Sequence, residues 1–75
     1  LYTMKKIKKI KIRVNGKVKS VSKDCKMSDL VKNLKIPIKK VAIELNQEII
    51  DKKKINKIYV KNNDKIEIVH FIGGG

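Results

Sequence analysis

Residues 8–21 read Lys8-Lys9-Ile10-Lys11-Ile12-Arg13-Val14-Asn15-Gly16-Lys17-Val18-Lys19-Ser20-Val21, and they spell a β-hairpin. Ile10, Ile12 and Val14 recur with Lys9, Lys11 and Arg13 in the other positions, a period of two that predicts a strand with one buried face. Asn15-Gly16 follows at once, the dipeptide that best tolerates positive φ at both central positions of a type I′ turn. Val18 and Val21 fall on the returning strand. One face of this hairpin is apolar and needs a cover.

The cover comes next in the chain. Ser28 is a candidate side-chain N-cap and Asp29 an acid for the first helical turn, where it opposes the positive end of the helix dipole. Leu30, Val31 and Leu34 share one helical face, and Pro37 limits the helix because it disfavours helical geometry at Ile36. Val41 to Leu45 reads as a third strand, Asn46-Gln47-Glu48 as a turn, and Ile49-Ile50 as a further extended segment. The charged run Asp51 to Lys54 reads as a loop, with Lys52, Lys53 and Lys54 in solvent. Ile55, Ile58 and Val60 are expected to pin this connection to the core through one helical turn and a short edge strand. Asn62-Asn63-Asp64 is a turn, and Lys65 to Phe71 is the final strand. Ile66 and Ile68 should point inward there, leaving Glu67, Val69 and Phe71 on the open face. The predicted fold is α+β: a mixed sheet of four to five strands with one main helix packed on one face.

A chain of 75 residues makes one domain, spanning 1–75, and buries only about 60% of its unfolded surface. A deep private pocket is excluded, because nearly every apolar side chain is needed for the core. No stretch approaches the ~20 apolar residues of a membrane helix. Leu1-Tyr2-Thr3 before Met4 reads as added sequence or an upstream start. Cys25 is the single cysteine, which precludes an internal disulfide and fits a reducing compartment, the cytoplasm. The net charge of +13 would suit nucleic acid. Arg13 is the only arginine, however, and abundant Lys, Ile and Asn together follow from AT-rich codon usage, so composition is the preferred explanation.

The last strand runs through Ile72 straight into Gly73-Gly74-Gly75. Glycines without side chains can adopt almost any backbone angles and enter a narrow channel. They leave the carboxylate of Gly75, ionised at neutral pH, on a flexible tether. Such a carboxylate can attack the α-phosphate of ATP once anionic repulsion is screened, giving an acyl-adenylate. The competing reading is a frayed end. Glycines that follow a well-patterned strand with no polar linker favour the functional one. Val69, Phe71 and Ile72 beside the tail are candidates for a partner-contact surface.

The chain resembles the ThiS family of sulfur carriers, of ubiquitin-like β-grasp fold, over Lys9 to Gly75. The resemblance rests on Lys11-Ile12-Arg13-Val14-Asn15-Gly16, Met27-Ser28-Asp29-Leu30-Val31, Val41-Ala42-Ile43-Glu44-Leu45-Asn46, Asn63-Asp64-Lys65-Ile66-Glu67-Ile68-Val69 and the glycine tail. It implies a cosubstrate that catalyses nothing itself. A ThiF-type adenylating enzyme would activate Gly75 with ATP, and a cysteine persulfide would supply sulfur for a C-terminal thiocarboxylate. Thiazole synthase of the ThiG type would then take that sulfur for the thiazole ring of thiamine. No bound cofactor is implied, and a monomer is expected. Asn63-Asp64 stands where the family often shows Gly-Asp, and the large positive charge would need a matching partner surface.

The nearest rival is a molybdopterin-synthase small subunit, which uses the same chemistry in another pathway. A lysine-conjugated protein modifier and an RNA-binding β-grasp module are further alternatives. Cys25, between Asp24 and Lys26 with no neighbouring His, reads as a bystander thiol. His70 reads as ordinary sheet packing, and Asn46 as a turn residue for which the resemblance adds a structural hydrogen bond. One His and one Cys are too few for a typical structural zinc site.

Overall fold

The structure is a computed structural model that describes residues 8–71. The readings placed on residues 1–3 and on Ile72, Gly73, Gly74 and Gly75 lie outside the described residues. Strand β1 (Lys9–Val14) pairs antiparallel with β2 (Lys17–Ser22), Val14 opposite Lys17. Asn15 at φ 50° and Gly16 at φ 82° make the turn between them, both positive as the dipeptide predicts. A Cβ on Gly16 would meet no atom within 4 Å. Gly16→Ala therefore isolates backbone strain, and urea unfolding should show a loss of about 1 kcal/mol. An unchanged midpoint would mean that the turn has another conformation open to it.

Helix α1 (Met27–Asn33) begins earlier than a Ser28 cap would place it, with Lys26 at the N-cap. The reason is tertiary. Met27 N donates to Ile58 O (2.8 Å) and Val60 N to Cys25 O (2.9 Å), which holds Lys26 extended beside Tyr59. Lysine offers no acceptor for the helix amides, but Lys26 N donates to Asp29 Oδ2 at 3.1 Å, so the first-turn acid still serves the helix start. At the other end Lys35 takes φ 55°, its N donating to Lys32 O while Ile36 N reaches Val31 O, both at 3.1 Å. This Schellman ending stops the helix at Asn33, four positions before Pro37.

A 3-10 turn at Ile38–Lys40 leads into β3 (Val41–Leu45), and Asn46 and Gln47, at φ 51° and 73°, reverse the chain into β4 (Glu48–Ile49). The charged run read as a loop begins a 3-10 helix, Lys52–Lys57, because Asp51 caps it by accepting from Lys53 N at 2.9 Å. Ile55 and Ile58 pack against the core and Val60 is buried, as expected of that connection. Strand β5 (Lys65–His70) closes the fold.

The strand order is β2-β1-β5-β3-β4, with β1 and β5 parallel and the other pairs antiparallel. The final strand thus lies in the middle of a five-stranded mixed sheet. Ile12, Val14, Ile43, Val41, Ile66 and Ile68 line one face and are buried with Met27, Leu30 and Val31 of the helix. The opposite face is open.

Candidate functional site

The end of β5 is where the sheet meets the tail. β5 has a ladder on both sides only at its start, where Lys65 and Ile66 pair with Arg13 and Val14, and from Ile68 to His70 its ladder is with β3 alone. Val41 pairs with His70 and Ala42 with Val69, and Phe71 N donates to Lys40 O at 2.9 Å, which carries the pairing one residue further. The alternation then decides the faces. Val69 and Phe71 fall on the open face, 51% and 55% exposed, as their parity predicts. Ile49, opposite Glu44 on β4, extends the apolar area at 75% exposure.

Charge on this face is sorted by strand. Glu44 and Glu67 pair directly across β3 and β5, while Arg13 pairs with Lys65 across β1 and β5. A partner docking here would meet apolar side chains beside an acidic pair, with cations toward the hairpin. The cations of the hairpin itself lie on both faces. Lys9, Lys11 and Arg13 are on the open side, and Lys17 and Lys19 share the side of Val14 and Ile12. Such scatter lacks the single basic stripe of a nucleic-acid footprint.

Two polar side chains anchor the strand from outside it. Asn15 Oδ1 accepts from Ile68 N at 2.8 Å, and Asn46 Oδ1 accepts from Lys65 N at 2.9 Å. Asn46 Nδ2 also donates to Asp64 Oδ1 at 3.0 Å, so the structural hydrogen bond expected of Asn46 is present. The Asn15 contact was invisible in sequence, because a turn-former 53 positions away gives no sign that its side chain reaches β5.

Lys52 corrects the reading of its run as solvated. Its Nζ donates to the carbonyls of Ile38 (3.0 Å) and Val41 (2.8 Å) and sits 5.4 Å from the centroid of the Phe71 ring. Lys53 and Lys54 are exposed as expected. His70 is the second correction. It has the parity of Ile66 and Ile68 and stands opposite the buried Val41, yet its side chain is exposed instead of packed.

Cys25 is buried, and its Sγ donates to Lys26 O at 3.4 Å. Burial first, and the Asp29 carboxylate second, push its thiol above the ordinary range. It stays protonated at neutral pH, in keeping with a bystander. Among the described residues no three His, Cys, Asp or Glu side chains gather to hold a metal, and no helix is long and apolar enough to cross a membrane.

The described residues thus present an exposed apolar surface beside a strand end paired to β3. That architecture has relatives. The sequence profile of the ThiS family matches residues 7–75. The chain belongs to the ThiS family. It is 38% identical over 65 residues to the sulfur carrier protein ThiS of Bacillus subtilis, covering 85% of this chain and 98% of that protein. The crystal structure of a thiamine biosynthesis protein (ThiS) from Geobacter metallireducens superposes with a TM-score of 0.78 at 30% identity, over 88% of this chain and all of that one. The fold is accordingly the ubiquitin-like β-grasp of ThiS. A thiazole synthase of Paramagnetospirillum magneticum is 38% identical over 66 residues, which is 88% of this chain. The ThiS-family chain spans only 20% of that enzyme's length.

Proposed function

We propose that this ThiS-family protein is a sulfur carrier of thiamine biosynthesis whose cargo rides on the carboxylate of Gly75. The observation that carries the reading is the family match, which runs to Gly75 itself, in line with a final strand held at the centre of the sheet. Near-complete coverage of the Bacillus subtilis sulfur carrier supports the same conclusion. The Paramagnetospirillum magneticum enzyme, in which a ThiS-like stretch forms part of a thiazole synthase, supports thiazole synthase as the acceptor. It also favours the thiamine pathway over the molybdopterin one.

The chemistry proceeds on Gly75 in a partner's active site. A ThiF-type enzyme binds ATP, the carboxylate attacks the α-phosphate, and pyrophosphate leaves. The acyl-adenylate has AMP as a good leaving group. The terminal sulfur of a cysteine persulfide displaces AMP, and a thiol then cleaves the S–S bond to leave a thiocarboxylate. Thiazole synthase consumes that sulfur and returns the carboxylate. The carrier works as a cosubstrate in the cytoplasm, with Gly73 and Gly74 threading the partner's channel. Val69, Phe71 and Ile72 are assigned to the partner-contact surface.

The test is mass spectrometry after incubation with an adenylating enzyme, ATP and a persulfide donor. The expected result is the exchange of one oxygen for sulfur, mapped to Gly75. An unchanged mass with a competent cognate enzyme would overturn the reading.

A further inference from the structure

Three contacts of Lys52 converge where the chain leaves the sheet. Its ammonium donates to Ile38 O at 3.0 Å and to Val41 O at 2.8 Å, bridging the start of the 3-10 turn Ile38–Lys40 and the first residue of β3. The same Nζ lies 5.4 Å from the centroid of Phe71. Phe71 N in turn donates to Lys40 O, inside the segment that the ammonium clamps. A lysine held by two carbonyls is a fixed charge instead of a swinging one, and charge-assisted bonds of this kind are the stronger class. The aromatic face over it gains a preferred position.

We infer that Lys52 is a positioning residue for the C-terminal tail, fixing the direction in which the chain leaves β5 at Phe71. The functional half of this inference rests on the reading that Gly75 is the working group. Four residues separate Phe71 from the chain end, a reach of about 14 Å when extended. A fixed root narrows the volume that the chain end searches. Loosening the root lowers the fraction of molecules ready to enter the partner, which raises the apparent KM and leaves kcat alone.

Lys52→Met keeps most of the aliphatic stem and removes the ammonium. Lys52→Arg supplies donors for both carbonyls and a plane for the ring, and Lys54→Met removes one charge from an exposed neighbour. Two readouts apply: amide hydrogen exchange at Phe71, with Met27 and Ile68 as internal references, and KM and kcat for thiocarboxylate formation with the adenylating enzyme.

In Lys52→Met, protection at Phe71 should fall about tenfold while Met27 and Ile68 hold, and KM should rise about tenfold with kcat within about twofold. Lys52→Arg should recover most of both, and Lys54→Met should match the wild type. Unchanged Phe71 protection would overturn the inference. So would an equal KM rise in Lys54→Met, or a loss of protection shared by all three amides, which would make Lys52 merely structural. If the wild type is not thiocarboxylated, the reading of Gly75 falls, while Phe71 exchange still decides whether Lys52 fixes the root.

Discussion

Removing Gly74 and Gly75 is expected to reduce thiocarboxylate formation by at least about 10³-fold, since the reacting carboxyl loses its place in the partner's site. The urea midpoint should not move. The core residues run from Ile12 to Ile68, and a glycine adds no side chain to any of them. The shortened chain still ends in a glycine carboxylate, on Gly73, so the chemical group survives the deletion. What changes is reach, by about 7 Å for two extended residues. Replacing Gly74 and Gly75 with two alanines restores the length while adding two methyl groups. Partial recovery there would separate the need for reach from the need for a slim tail. Mass spectrometry reads both variants, and salt titration against RNA supplies the contrast. A nucleic-acid module would bind equally well without its last two residues and lose affinity steeply with salt. Thiocarboxylate formed at the wild-type rate on Gly73 would sink the proposal that tail length matters.

The hairpin was legible because two independent signals agree: alternation through Ile10, Ile12 and Val14, and Asn15-Gly16 at the point where alternation must reverse. The faces of β5 were legible for the same reason, Ile66 and Ile68 being buried while Val69 and Phe71 are open. Contacts between distant segments were not. Ser28 looked like a cap because local chemistry favours it, yet the Ile58–Val60 segment pairs beside Lys26 and sets the helix start. His70 has core parity and a buried partner in Val41, yet it is exposed, because parity alone does not say whether a cover lies over a given position. Lys52 sits among lysines of the same type, and nothing in that run distinguishes the ammonium that turns inward. The helix start and the Lys52 contacts each depend on a partner at least 11 positions away. Periodicity reports which face a residue takes and stays silent on what waits there.

Asp64→Ala is expected to cost about 3 kcal/mol in urea unfolding, a large share of what so small a domain has. Asp64 is 9% exposed, and its carboxylate accepts from Asn46 Nδ2 at 3.0 Å and from Lys61 N at 2.7 Å. Asn46 is tied in turn to the first residue of β5, its N donating to Lys65 O (2.7 Å) and its Oδ1 accepting from Lys65 N (2.9 Å). The turn after β3 and the turn before β5 therefore meet at one carboxylate. Alanine at 64 strands two donors, one from each turn. Asp64→Asn keeps a single acceptor and points an NH2 at the other donor, so its loss should be roughly half as large. Asn46→Ala removes both side-chain bonds and puts alanine at φ 51°, for a loss of about 2 to 3 kcal/mol. Because both single variants break the Asn46–Asp64 bond, the double variant should lose less than the sum, by about 1 kcal/mol. The effect on transfer should run opposite to that of Lys52. Asp64 acts at the start of β5 and Lys52 at its end, so Asp64→Asn should lower stability and leave the KM for adenylation unchanged. Losses that simply add would mean that Asn46 and Asp64 act separately. A raised KM in Asp64→Asn would mean that the two ends of β5 are not independent.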